Sequence, residues 1–169
     1  RHVNSATVRI YRTPFTAEQV TRTKDEKWMD DVVSSGVPYR KIFREFEPHE
    51  PYVWFSDTIQ FAIDSVDIYV IEVESDKGKA TKNLLCVTRL RPMLLTLRGG
   101  DGRVVAVDAK SGHPIMASSA KVVKYNYDEK KYEDVGSASS DAEGNIYLRN
   151  FHSYNYKCFL SVPGDSYLP

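Results

Sequence analysis

The chain has 169 residues, and its 23 Lys and Arg are balanced by 23 Asp and Glu. Zero formal charge excludes a general nucleic-acid binder, which needs positive charge against phosphate, and a polybasic membrane-surface module. Hydrophobic residues at 41% and aromatics at 12% supply a packed core, yet the longest apolar stretches, such as Tyr69-Val70-Ile71, are far too short to span a bilayer.

The chain opens on Arg1 rather than Met and carries no signal peptide, as expected of a fragment or a processed product. Thr7-Val8-Arg9-Ile10-Tyr11 alternates polar and apolar residues before stopping at Pro14, the pattern of a strand with one buried face. Thr16 and Gln19 have capping-box spacing, with only a weak apolar run behind them, and a short helix is expected. Over Asp25–Gly36 the apolar residues fall at Trp28, Met29, Val32 and Val33, one stripe of a helix. Asp25 and Glu26 suit its positive end, and Gly36 is expected to end it in the left-handed conformation. Further strands are expected over Tyr39–Phe46, with Ile42, Arg44 and Phe46 on one face, over Thr58–Ile63, with Ile59, Phe61 and Ile63 on one face, and over Ile68–Val73.

The polar stretch Asp76–Asn83, centred on Gly78, reads as a long hairpin loop or a linker. Beyond it come strand patterns at Leu84–Thr88, Met93–Leu97, Val104–Val107, Ala120–Tyr125, Asn145–Leu148 and Tyr156–Val162. Turns punctuate them at Gly99-Gly100-Asp101-Gly102, Ser111-Gly112-His113-Pro114 and Pro163-Gly164-Asp165. The expected class is all-β: two consecutive immunoglobulin- or fibronectin-like β-sandwiches, residues 1–82 and 83–169, the first with a short helical insertion.

No residue pattern marks a catalytic, cofactor or metal site. His2, His49, His113 and His152 sit in turn-like or terminal contexts, without the pair spacings of a metal site. Cys86 and Cys158 lie inside apolar strand patterns, where thiols are buried and inert; whether they are bridged stays open. Asp30/Asp31 and Asp128/Glu129 are adjacent and point apart, while Glu72 and Glu74 share a strand face, read as its solvated side. The glycine turn lacks the Gly-Lys-Ser/Thr of a phosphate loop, and Ser140–Asn145 lacks the rest of a calcium loop. Tyr39, Phe43, Tyr52, Trp54, Phe55, Tyr125, Tyr127, Tyr132, Phe151, Tyr154 and Tyr156 are core or contact aromatics, Tyr125–Tyr132 lying in a polar hairpin.

A more specific pattern begins at Val107-Asp108-Ala109-Lys110-Ser111-Gly112-His113-Pro114-Ile115, and runs through Ala120–Tyr125 and Tyr132–Val135 to Ser140-Asp141-Ala142-Glu143-Gly144-Asn145-Ile146-Tyr147-Leu148. It resembles the macroglobulin domains of bacterial alpha-2-macroglobulin-like proteins: a strand ending in Asp, a Ser/Thr-Gly-x-Pro turn, then Ser/Thr-Asp-x-x-Gly leading into a strand. Leu85–Leu90 resembles the join between two such domains; Val8–Arg12 and Ile68–Val73 resemble strands of the preceding one. The carboxypeptidase-regulatory or transthyretin-like sandwich shares the same turns. The resemblance implies a non-enzymatic scaffold and protein-interaction segment of a large exported chain, with an endopeptidase-inhibitor or surface-defence role. It implies no thioester here, since neither cysteine has the Cys-Gly-Glu-Gln context. Its implied partners are other domains of the same chain and proteinases, with no nucleic acid and no membrane insertion by this segment. The implied location is the periplasm or cell surface, any lipid anchor lying outside the segment. Two other readings are an adhesin or glycan-binding module carried by aromatics such as Trp54, and a hydrolase with a cleft between the sandwiches.

Overall fold

The computed structural model describes residues 3–23, 25–48, 50, 55–97, 99–149, 151 and 156–169. Contacts divide the chain into two compact units, Arg1–Pro14 with Asp25–Val87, and Phe15–Lys24 with Thr88–Pro169. In chain order β1 (Ser5–Arg12) is followed by helices α1 (Ala17–Arg22) and α2 (Lys27–Ser35), then β2 (Arg40–Glu45), β3 (Asp67–Ser75) and β4 (Thr81–Val87). The sequence boundary at 82/83 falls inside β4, whose pairing with β3 keeps Asn83–Val87 in the first unit, while α1 groups with the second.

The first unit holds one antiparallel sheet, ordered β2-β1-β3-β4. Register sets Val8 between Ile42 and Val73, and Ile10 opposite Ile71, so the alternation seen in the sequence becomes one continuous apolar face around Val8, Ile10 and Tyr69. Residues 58–63 make no strand. Their alternation survives as packing, because Ile59, Phe61 and Ile63 lie against this face while Thr58, Gln60 and Ala62 are exposed. Arg40 donates to the Ala62 carbonyl at 2.7 Å. Among the described residues of this unit, the layer over the core is therefore side chains of residues 59–63 rather than a second ladder.

Helix α2 serves the opposite face. Met29 and Val32 are buried, as the stripe predicts, and Asp30 meets Lys82 of β4 at 2.5 Å. Gly36 ends the helix with φ −92°, not in the left-handed region expected. The reason for glycine is space: a Cβ there would lie 2.5 Å from the Val32 carbonyl oxygen and 3.3 Å from the Tyr11 ring. Of the two glutamates on that face, Glu74 is exposed as read, but Glu72 is not solvated. Glu72 is buried, facing Arg9 on one side and Lys82 on the other in the strand register, and it accepts from Arg9 at 3.0 Å.

The second unit contains β5 (Leu90–Thr96), β6 (Gly102–Asp108), β7 (Ser119–Asn126), β8 (Lys131–Ser139), β9 (Asn145–Leu148), β10 (Tyr156–Val162) and β11 (Asp165–Tyr167). They form two antiparallel sheets, β11-β10-β7-β8 and β5-β6-β9. Leu90, Val104, Ala106, Ala120, Val122, Ile146, Leu148, Phe151 and Leu160 fill the space between them. Helix α1 begins with the expected capping box: Thr16 accepts from the Gln19 amide, and the Gln19 side chain accepts from the Thr16 amide. It is anchored to the outward residues of β7 and β8, Glu18 to Lys121 at 2.7 Å and Arg22 to Asp134. Strands β8 and β11 were not legible as strands; β8 is exposed along almost all its length and shows no alternation.

Candidate protein-contact site

The motif residues of the second unit are occupied in shaping corners. The Asp108 carboxylate accepts the amides of Lys110 at 3.0 Å and Ser111 at 2.8 Å, and the Ser111 hydroxyl at 3.0 Å. Gly112 follows at φ +73°, and Val107 then bridges to Pro114. Asp141 does the same work before β9, accepting the Asn145 amide at 2.8 Å and the Glu143 amide at 3.0 Å around Gly144 at φ +85°. These amides hold both carboxyls below the usual carboxylate range, led by Ser111 at Asp108 and by Asn145 at Asp141. The glycine turn also behaves as read, with Gly99 and Gly100 at φ +86° and +85°.

The other candidate chemical groups are placed apart from any shared centre. His113 is exposed, and its carbonyl accepts from the Asp108 amide at 2.9 Å. Cys158 is a half-buried free thiol in β10, pushed up to about 11 by desolvation, and Cys86 is half-buried in β4. The Asp128 and Glu129 amides donate to the Asn126 side chain, forming the tip of the β7–β8 hairpin. Among the described residues no three His, Cys, Asp or Glu side chains gather as metal ligands. His2, His49 and His152, with Tyr52, Trp54 and Tyr154, lie outside the described residues.

What the structure does bring together is the hairpin's aromatic cluster. Tyr125 stacks edge-on with Tyr127 and Tyr132, ring centroids 5.1 and 5.0 Å apart, and Tyr127 is 62% exposed. A groove of ≈ 370 Å³ runs beside it, lined by Thr21, Arg22, Thr23, Tyr125, Lys130, Lys131 and Tyr132. Arg22 donates to the Tyr132 carbonyl at 2.9 Å and holds the Asp134 carboxyl below its usual range. Lys157 lies 5.4 Å over the Tyr132 ring. Aromatic faces and cations around a shallow groove suit contact with a protein loop or a sugar. The sequence identified the tyrosines, but not that α1, more than a hundred residues earlier, closes the groove.

Among the described residues, three antiparallel sheets and two short helices make an all-β chain, consistent with macroglobulin-like β-sandwich domains. The structure is similar to two crystal structures of native alpha-2-macroglobulin from Escherichia coli. The one spanning domains NIE-MG1 matches with a TM-score of 0.64 at 12% identity, covering 98% of this chain and 82% of that one. The one spanning MG0-NIE-MG1 matches with a TM-score of 0.63, also at 12% identity, over 98% of this chain and 54% of that one. The resemblance read from the sequence is thus met at the level of the fold. No protein-family model matches the sequence, and no curated protein sequence does.

Proposed function

We propose that the chain is a non-catalytic scaffold and protein-contact segment of a larger exported alpha-2-macroglobulin-like protein, serving endopeptidase inhibition or surface defence in the periplasm or at the cell surface. The observation that carries this reading is the fold likeness to the E. coli fragments over 98% of the chain. The local chemistry supports it, because Asp108 with Ser111 and Asp141 with Asn145 bond one another and the backbone in shaping turns. Its partners in this reading are neighbouring domains of the same chain and proteinases. No described helix is long and apolar enough to cross a membrane. The test is protection of a protein substrate from an endopeptidase by the longer chain, with and without residues 1–169. Loss of protection on deletion is expected; undiminished protection would overturn the scaffold role.

A second reading, a glycan-binding module, is favoured by the Tyr125-Tyr127-Tyr132 cluster, with Tyr127 exposed and Lys130 and Lys131 beside it. A glycan array with the wild-type chain and Tyr127→Ala tests it: a signal abolished by the substitution supports it, and no signal removes it.

A further inference from the structure

The two sheets of the second unit differ on their outward sides. The sheet β11-β10-β7-β8 carries α1 there, whereas on β5-β6-β9 the outward side chains of Met93, Leu95 and Tyr147 are exposed around half-buried Arg103, Val105 and Asn145. Strand alternation and register place them in rows: Met93 beside Val105 and Asn145, and Leu95 beside Arg103 and Tyr147. Met93 is 52% exposed, Leu95 42% and Tyr147 55%. Arg91 flanks this patch on β5, and Arg149 follows β9 directly.

The arginines of this sheet are set apart from the rest by what they lack. Among the described residues, Arg9, Arg12, Arg22, Arg40, Arg44 and Arg89 each reach a carboxylate, hydroxyl or carbonyl of the chain. Arg91, Arg103 and Arg149 reach none. The Arg103 Nε is moreover withdrawn from solvent without a partner, which leaves a strong donor unsatisfied until something supplies an acceptor. The carboxylate at the end of β6 is already engaged, Asp108 by Lys110 and Ser111. Tyr, Met and Arg are the residues that concentrate at protein contact surfaces, and guanidinium forks match carboxylates. Pro92 within β5 removes a ladder donor and disfavours strand addition at that edge, so the contact is with the face.

We infer that the outward face of the β5-β6-β9 sheet docks a partner protein segment that sets carboxylates around apolar side chains, with Arg91, Arg103 and Arg149 receiving the carboxylates and Met93, Leu95 and Tyr147 the apolar groups. The inference does not depend on the hairpin groove or on the inhibitor role. The probe is a soluble synthetic peptide alternating Glu and Leu, titrated into the full chain in dilute buffer, with a Lys-Leu peptide of equal length as comparison. Saturable binding of the Glu-Leu peptide is expected, with a shift of the Met93 methyl resonance. Affinity should fall about tenfold or more in the Arg91→Gln/Arg103→Gln/Arg149→Gln triple variant, and not in Arg44→Gln, whose pair lies in the first unit. Equal binding by the triple variant, equal binding of the Lys-Leu peptide, or an unmoved Met93 methyl would each overturn the inference. So would concentration-dependent self-association abolished by the triple variant, since a second copy would then be the occupant.

Discussion

The carboxylate of Asp165, seventy-seven residues downstream, accepts the Thr88 hydroxyl at 2.7 Å and is buried where β11 begins. Its second oxygen accepts the Arg89 amide at 2.8 Å, and the Thr88 hydroxyl in turn receives the Leu90 amide at 3.0 Å. One side chain from the last strand thereby fixes how the chain enters the second unit. Asp165→Ala strands two donors in a partly buried position, so the second unit should lose about 1–3 kcal/mol of stability. Thermal unfolding followed by a Tyr or Cys158 probe in that unit should show the loss, while a Trp28 probe in the first unit should not.

Under α2 the Arg9 guanidinium reaches Glu72 at 3.0 Å and Glu74 at 2.7 Å. Arg9→Met takes from the buried Glu72 its guanidinium partner, and should destabilise the first unit by about 3 kcal/mol, the lower end for breaking a buried pair. Adding Glu72→Leu should restore part of that loss, because both charges are then gone. Denaturant titration of the two variants measures the difference, and a double variant less stable than Arg9→Met alone would contradict the reading.

The carboxyls of Asp108, Asp134 and Asp141 are all held below their ordinary value, by the Ser111 amide, the Arg22 guanidinium and the Asn145 amide first. A folded pKa below the unfolded one favours the folded state at every pH above the unfolded carboxylate value, ~3.9. That contribution is lost as pH falls from there through the folded values. Denaturation midpoints in the second unit should therefore hold steady near neutrality and fall in acid. Asp141→Asn should flatten that acid decline, and an unchanged slope would show that the turn is not its source.

Burial raises the Cys158 thiol from its ordinary 9.0 to about 11, so its thiolate at mildly alkaline pH is about a hundredfold scarcer than for an exposed thiol. Iodoacetamide labelling with peptide mapping should find Cys158 slow in the folded chain and fast once the chain is unfolded. Rapid labelling of the folded chain would point to an activated cysteine instead.

Legibility followed burial. Where one side of a strand meets a core, as with Val8 and Ile10 or Ile146 and Leu148, alternation announced both the strand and its inward face. Ile59, Phe61 and Ile63 show the limit of that signal: alternation reports which side chains are buried, not whether the backbone between them joins a ladder. Strand β8 is exposed on both faces and left no pattern to read. The polar start of β4 looked like loop because Lys82 serves Asp30 on α2 rather than an apolar core. Glu72 reads as solvated from the sequence because Arg9, which pairs with it, lies sixty-three residues away. For the contact surfaces, composition exposed the tyrosines of the hairpin. It could not expose the Arg91-Arg103-Arg149 set, which depends on three strands and on the absence of partners around them.

In the proposed reading, the turns and clusters build backbone and contact surface. The most direct test of that reading is endopeptidase protection by the longer chain carrying His113→Ala with Cys158→Ser, the exposed imidazole and the desolvated thiol being the residues on which nucleophilic chemistry in the second unit would fall. Protection equal to wild type at matched folded fraction is the predicted result. Protection abolished while the melting transition stays unchanged would contradict it.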